Sequence, residues 1–135
     1  MACLDTSVIL DLLGRGGRRK QLAAEAKLRQ LEHDRPHSVA RFVLAELLIG
    51  VEFSANPDRE RAQLDPLLAR LQILEFDARS MRLYARIFVH LRSLGHLPGV
   101  MDMLIASVSL SHGQRLVTRN PPHYDHVPGL RVESY

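Results

Sequence analysis

Short apolar runs alternate along the chain with longer segments whose apolar residues recur at helical spacing. Ala2 to Asp5 reads as a first strand that runs into a helix from about Thr6 to Leu13, which Gly14, Gly16 and Gly17 end. A second helix, about Lys20 to His33, stops before Pro36. His37 to Ala40 predicts a short strand, and a strongly apolar helix comes next from about Arg41 to Ser54, its end marked by Asn56 and Pro57. Asp58 to Leu71 reads as a helix and Ile73 to Phe76 as a strand. Asp77 is placed to cap a long helix reaching Leu94. Gly95, Pro98 and Gly99 break the chain before a helix over Met101 to Ser111, and Arg115 to Thr118 and Leu130 to Glu133 complete the pattern as strands.

Strand and helix alternating in this order predict an α/β domain, a small parallel sheet with helices on both faces. No repeat, low-complexity stretch or linker divides the chain, so residues 1–135 are expected to form a single domain. In such sheets ligands bind in the crevice beyond the carboxyl ends of the strands, which directs attention to the residues just after each strand.

Four polar residues stand there or in otherwise apolar helix. Asp5 ends the first strand, Glu46 lies within the third helix, Asp102 opens the sixth, and Asn120 comes just after the strand Arg115 to Thr118. Asp5 and Asp102 fit equally the role of helix N-cap, and Asn120, before two prolines, that of a turn residue. Glu46 is different. At about 100° per residue its helical face holds Val39, Phe42, Val43, Ile49, Gly50 and Phe53, and a charge in such a stripe requires either an arginine partner or another compensating group. Asp102 is the sole formal charge between Arg92 and Arg115 and is expected to be buried.

Three carboxylates meeting in one crevice repel by about 4 kcal/mol per pair at ~4 Å and an effective dielectric of 20. A divalent cation removes that penalty. With oxygen ligands and no histidine or cysteine, the expected ion is Mg²⁺ or Mn²⁺, held by Asp5, Glu46 and Asp102 with Asn120 assisting. Thr6, Ser7 and Thr118 stand beside these acids, either orienting a carboxylate or a water or serving ordinary helix-start and strand-end hydrogen bonds.

Composition adds a mild bias. At 46% hydrophobic and 24% charged the chain is ordinary for a globular protein, and a net charge of +3 carried almost wholly by arginine leans towards phosphate. Arg79, Arg82, Arg86 and His90 fall within about 80° on one face of the long helix, either a solvated stripe or a track for a phosphate backbone. Arg119 is a further candidate substrate contact. Arg15, Arg18, Arg19 and Lys20 cluster in the glycine-rich stretch, where they either clamp substrate or stay mobile. The single Cys3 and the absence of zinc spacing suit a reducing compartment. No ~20-residue apolar run or leader pattern is present, and a cytoplasmic protein is expected, without membrane contact.

Taken together these segments resemble the PIN-domain ribonucleases, specifically VapC-type toxins of bacterial toxin-antitoxin pairs. LDTSVILDLL at 4–13 is similar to the family's opening strand and aspartate. SVARFVLAELLIGV at 38–51 is similar to the block whose glutamate falls on Glu46, and DMLIASVSLSHGQRLVTRN at 102–120 to the block whose aspartate and fourth position fall on Asp102 and Asn120. The tail HYDHVPGLRVESY has the family's closing cadence. The resemblance implies a three-layer α/β/α fold, Mg²⁺- or Mn²⁺-dependent cleavage of RNA, a homodimer and a cognate antitoxin. Two departures stand out: Asn120 replaces an aspartate found in many relatives, weakening the hold on a second metal. Prolines and Tyr124 then stand where relatives often carry polar residues and Phe, a change expected to reshape the rim without touching the catalytic centre.

Two other classes compete. A noncatalytic PIN-like module would hold RNA or a partner without needing the ion. A phosphoacceptor receiver domain also clusters acids on a parallel sheet, but it needs a late lysine and the chain has none after Lys27. The helix Arg41 to Ser54, apolar on more than one side through Leu44, Leu47, Leu48 and Val51, fits either burial in the monomer or an association surface.

Overall fold

The structure, a computed structural model, describes residues 1–96 and 99–135. Its strands are β1 (Ala2–Leu4), β2 (Ser38–Ala40), β3 (Gln72–Leu74), β4 (Arg115–Val117) and β5 (Val132–Glu133), all parallel in the order β3-β2-β1-β4-β5. The helices are α1 (Thr6–Leu12), α2 (Arg18–Gln30), α3 (Arg41–Phe53), α4 (Pro57–Leu68), α5 (Ala78–Ser93) and α6 (Val100–Ser111). The chain steps outward from β1 to β3 through α1 to α4 and returns past β1 to β4 through α5 and α6; by the right-handed rule for parallel crossovers this order puts α1 to α4 on one face and α5 and α6 on the other, the expected three layers. Among the described residues no helix is long and apolar enough to cross a membrane.

Each predicted element is present, with shifted ends. The strands are shorter because helices begin at once: Asp5 still donates its N–H to the Val117 carbonyl at 2.9 Å, yet Thr6 is already helical. Asp77 caps α5 as expected, its Oδ1 accepting from the Ser80 N–H at 2.8 Å. α3 ends at Phe53 with Ser54 as its C-cap, ahead of the expected Asn56 and Pro57, which instead start α4, Asn56 accepting from the Arg59 N–H at 3.2 Å and Pro57 filling the first helical position, where its missing N–H costs nothing. Short 3₁₀ turns at Glu32–Asp34 and Pro121–His123 were not foreseen. Pro98, one of the predicted breakers, lies outside the described residues.

The basic stretch is corrected. Arg18, Arg19 and Lys20 belong to the first turn of α2, and only Arg15 stays in the loop, where it pairs with Glu60 and Gln63 of α4. That pairing ties Arg15 to α4, against the expectation of a mobile side chain.

The core lies on both faces of the central strands. Leu4, Val39, Leu116 and Val117 are fully enclosed, as are Val8, Ile9 and Val43 from one layer and Met103, Ile105 and Val108 from the other. Helix α6 is packed between the sheet and α5 and buries Ser107 and Ser109 along with its apolar residues; these small side chains let it approach closely. Burial pushes the Cys3 thiol up to about 11, so it stays protonated and unreactive.

The chain moves outward from β1 to β2 and β3, then returns to place β4 on the other side of β1. The order therefore reverses between β1 and β4. Their carboxyl ends border the crevice where ligands bind in such sheets, and Asp5 and Thr118 are the first residues beyond them.

Candidate active site

Asp5 occupies the N-cap position of α1, with extended backbone (φ −75°, ψ 162°), but its side chain caps nothing. Its carboxylate is enclosed, the residue 6% exposed, and is held by hydroxyls instead. Thr118 donates to Oδ2 at 2.7 Å and Ser7 reaches the same oxygen at 3.3 Å, while the Tyr124 phenol donates to Oδ1 at 3.1 Å. Thr118 in turn accepts from the Asn120 N–H at 3.0 Å, and Ser7 from the Arg119 N–H at 3.1 Å. The β4 carboxyl end and the start of α1 are thus laced together through the two hydroxyls, which serve both the local hydrogen bonding and the carboxylate.

Asp102 stands in the first turn of α6, whose N-cap is Gly99, so it too is no cap. Its Oδ1 lies 3.4 Å from the Tyr124 hydroxyl, and its Oδ2 is 3.1 Å from His123 Nδ1. One phenol oxygen therefore stands between Asp5 and Asp102. Glu46 projects from α3 and accepts from Thr6 Oγ1 at 2.7 Å, Thr6 being the residue after Asp5.

Glu46 and Asp102 are both disturbed by their surroundings. Burial raises the Glu46 carboxyl above its ordinary value against the pull of Thr6, and the charges of Asp5 and Asp102 raise it further. Burial likewise raises Asp102, opposed by His123 and reinforced by Asp5. The Tyr124 phenol is driven far up by burial and then by the charges of Asp5 and Asp102, with Glu46 also contributing, so it remains a proton donor at any ordinary pH. In each case burial is the largest cause, and the charges of the neighbouring acids add to it.

Several expectations need correction. The face of α3 around Glu46 is not a buried stripe: Val39 belongs to β2, and on the helix Val43 is enclosed but Ile49 is 54% and Phe53 87% exposed. The core face is Val43, Leu47 and Val51, and Glu46 sits half-buried at its edge with a threonine partner, not an arginine. Asp102 is half-buried, not buried. Asn120 opens the 3₁₀ turn Pro121–His123, its carbonyl accepting from the His123 N–H at 3.1 Å, and its side chain caps nothing there.

Arg119 is committed to the protein. Its guanidinium pairs with Asp11, a fully buried acid of α1 that also accepts from the Tyr135 hydroxyl at 2.7 Å. Gly16 packs against this pair so closely that a Cβ there would collide with the Asp11 carboxylate. Arg79, Arg82, Arg86 and His90 are exposed along α5 as expected. The stripe nevertheless begins away from the acids: Asp77, beside Arg79, accepts from Ser111, nine residues or roughly 13 Å along α6 from Asp102.

Tyr124, His123, Asp11 and Tyr135 were missed as site residues. Tyr124 does not merely reshape the rim; it touches two of the acids. Asp11 carried a usable signal, a lone acid inside the apolar run VILDLL, the same oddity that drew attention to Glu46. The two tyrosines gave none, since their hydroxyls find partners 22 to 124 residues away.

Among the described residues no three His, Cys, Asp or Glu side chains are drawn together at ligand distance from a common point. The carboxylate oxygens are instead bonded by the hydroxyls of Thr6, Thr118 and Tyr124. The donor set is nevertheless all oxygen, is mutually repelling and has no arginine or lysine to neutralise it, which suits a hard divalent ion.

Residues 2–128 match the PIN domain. The chain belongs to the PIN-domain family. Its relatives within that family are VapC proteins. It is 33% identical over 98 residues to Ribonuclease VapC2 of Rickettsia felis, covering 73% of each chain, and 30% identical over 97 residues to the tRNA(fMet)-specific endonuclease VapC of Salmonella typhimurium, covering 72% of this chain and 74% of the relative. Among solved structures, this PIN domain superposes on VapBC2 of Rickettsia felis bound to a promoter DNA fragment, with a TM-score of 0.89 at 27% identity over 99% of this chain and 98% of the other.

The raised acids set a pH dependence. A carboxyl whose folded pKa exceeds its unfolded value contributes stability that is complete below the unfolded pKa and lost as pH rises through the folded one. Thermal melts without divalent cations are expected to show this loss above the ordinary carboxylate range for Glu46 and Asp102. Glu46→Gln should remove part of it. A Glu46→Gln melting curve parallel to wild type across that range would show that Glu46 carries no such burden.

Proposed function

We propose that this PIN domain is a Mg²⁺- or Mn²⁺-dependent endoribonuclease, the toxin of a toxin-antitoxin pair. The observation that carries the reading is the meeting of Asp5, Glu46 and Asp102 from three separate elements at the crevice between β1 and β4, in mutual repulsion and without an arginine or lysine, His123 standing beside Asp102. The relatives' names, ribonuclease and tRNA endonuclease, support the substrate class.

Asp5, Glu46 and Asp102 would hold the ion, with the Asn120 amide at the rim as a neutral fourth group. When bound, such an ion acidifies a water and stabilises charge on a phosphodiester. The chain's own part is to aim the ligands. Thr118 and Ser7 fix one oxygen of Asp5, Thr6 fixes Glu46, and Tyr124 spans Asp5 and Asp102. Arg82 and Arg86, exposed on α5, would track the RNA backbone as screened, salt-dependent contacts. Arg119, paired with Asp11, would instead hold the turn that carries Asn120.

The second reading, a PIN-like module that binds RNA or a partner without cutting it, draws on the same hydroxyls: they already satisfy the carboxylates, and Asn120 adds no charge.

The partners would sit on the other layer. Leu10, Leu13, Leu47, Val51 and Leu64 line a groove of about 350 Å³ between α1, α3 and α4, suited to an apolar antitoxin segment. Leu48, Ile49 and Phe53 lie exposed on α3 and would pair with a second copy of the chain. Solved relatives are VapBC complexes.

Purified protein given RNA with Mg²⁺ or Mn²⁺ should cleave it, lose activity in chelator, and lose at least about a hundredfold in rate as Asp5→Asn or Asp102→Asn. Cleavage unaffected by chelator or by either variant contradicts the enzyme. Equal RNA binding with and without the ion and no cleavage would establish the module. Phe53→Asp should shift sedimentation of the free chain from dimer to monomer; an unchanged dimer would remove α3 from the interface.

A further inference from the structure

Each acid of the pocket is met by hydroxyls, but the hydroxyls are not equivalent. Thr6 serves Glu46, and Thr118 and Ser7 both serve Oδ2 of Asp5. Tyr124 is, among the described residues, the one side chain at hydrogen-bond distance from two of the acids, at 3.1 Å from Oδ1 of Asp5 and 3.4 Å from Oδ1 of Asp102. These are the oxygens left over, because Oδ2 of Asp5 is taken by the two hydroxyls and Oδ2 of Asp102 faces His123 Nδ1 at 3.1 Å.

The fold puts the phenol there. Tyr124 closes the 3₁₀ turn Pro121–His123, its N–H donating to the Pro121 carbonyl at 2.9 Å and its carbonyl accepting from the Val127 N–H at 3.1 Å, and its ring is enclosed. It is nevertheless a poor partner for two anions. A phenol has one proton, so when it donates to one aspartate it turns lone pairs towards the other. Both its distances exceed the roughly 2.5–2.7 Å of a strong hydroxyl bond to a carboxylate, whereas Thr118 reaches Asp5 at 2.7 Å. Being neutral, it bridges the repulsion between the two acids without cancelling it.

We propose that Tyr124 is a neutral stand-in for the divalent ion, bridging Asp5 and Asp102 in the ion-free chain and lowering the pocket's affinity for the ion by competing for the free oxygen of each. This rests on the reading of the acids as ligands and adds that one hydroxyl of the pocket works against the ion. Thr6, Ser7 and Thr118 aim the carboxylates with or without it; Tyr124 does so only until it binds. Removing the hydroxyl then has two effects of opposite sign. The ion-free chain loses a bond to a buried carboxylate and becomes less stable, while the ion meets no competitor and binds more tightly. A tyrosine that merely packs the rim would give the first effect without the second.

Tyr124→Phe keeps the ring and removes only the hydroxyl. The full chain and this variant, each with and without Asp5→Asn, are titrated with Mn²⁺ by calorimetry and melted in the presence and absence of the ion. Tyr124→Phe should bind Mn²⁺ about tenfold more tightly than wild type, as loss of one competing hydrogen bond to a charged group allows, and Asp5→Asn should abolish the binding in both. Its melting temperature should lie below that of wild type without divalent ions and rise by more on saturation, as tighter binding to the folded state requires. In wild type labelled at the tyrosine ¹³Cζ, Mg²⁺ should shift one of the three tyrosine signals saturably, a check that needs no variant to fold. Mn²⁺ affinity in Tyr124→Phe equal to or below that of wild type, and still lost with Asp5→Asn, would overturn the stand-in while leaving the metal site in place. Tyrosine signals unmoved at saturating Mg²⁺ would overturn it equally. No Asp5-dependent binding in either protein would overturn both the stand-in and the metal site.

Discussion

The contact on which the site depends is the enclosure of Asp5 by hydroxyls. A carboxylate at the end of a central strand, almost wholly removed from water, has no cationic side chain to balance it and relies on Thr118, Ser7 and Tyr124. Hydrogen bonds to an ionised oxygen are among the stronger ones, yet they disperse the charge and do not cancel it. The neighbours show the crowding: burial first, and the charge of Asp5 in addition, makes Glu46, Asp102 and Tyr124 hold their protons more tightly. An ion of opposite sign would relieve all of them at once, which links the geometry to the proposed chemistry.

The fold makes this arrangement by placing β1 and β4 side by side while their connections leave in opposite directions. Asp5 and Thr118 then emerge together at the sheet's edge, and α3 and α6 each bring one more acid from opposite layers. A second set of bonds keeps the edge in register: buried Asp11 ties Arg119, just after β4, to Tyr135 at the end of the chain. Gly16 leaves the space this pair needs. Arginine in this place acts as a strut, which explains why an apparently available cation next to Asn120 does not neutralise the acids.

Much of the architecture could be read from pattern alone. Strand-helix alternation pointed to the parallel sheet and its layers, since period and punctuation are local properties that a linear sequence carries. Element ends shifted where one residue serves two elements, as Asp5 does by bonding to β4 while standing at the N-cap position of α1. The three acids were legible because a charge in an apolar segment is conspicuous. Their surroundings were not: periodicity placed Glu46 in a buried stripe, whereas only part of that face meets the core and Phe53 faces solvent. Tyr124 was legible only as a departure at the rim, because its hydroxyl reaches Asp5 across 119 residues of chain. Arg119 suggested a substrate contact for a similar reason, its partner being invisible until the chain is folded.

Function rests on whether the crowded carboxylates receive a hard ion. The most direct measurement is anomalous diffraction from crystals grown with Mn²⁺. The account predicts a peak among Asp5, Glu46 and Asp102, with the Tyr124 hydroxyl no longer spanning the two aspartates. A fully occupied Mn²⁺ elsewhere on the molecule, with this pocket empty and its hydrogen bonds unchanged, would contradict it.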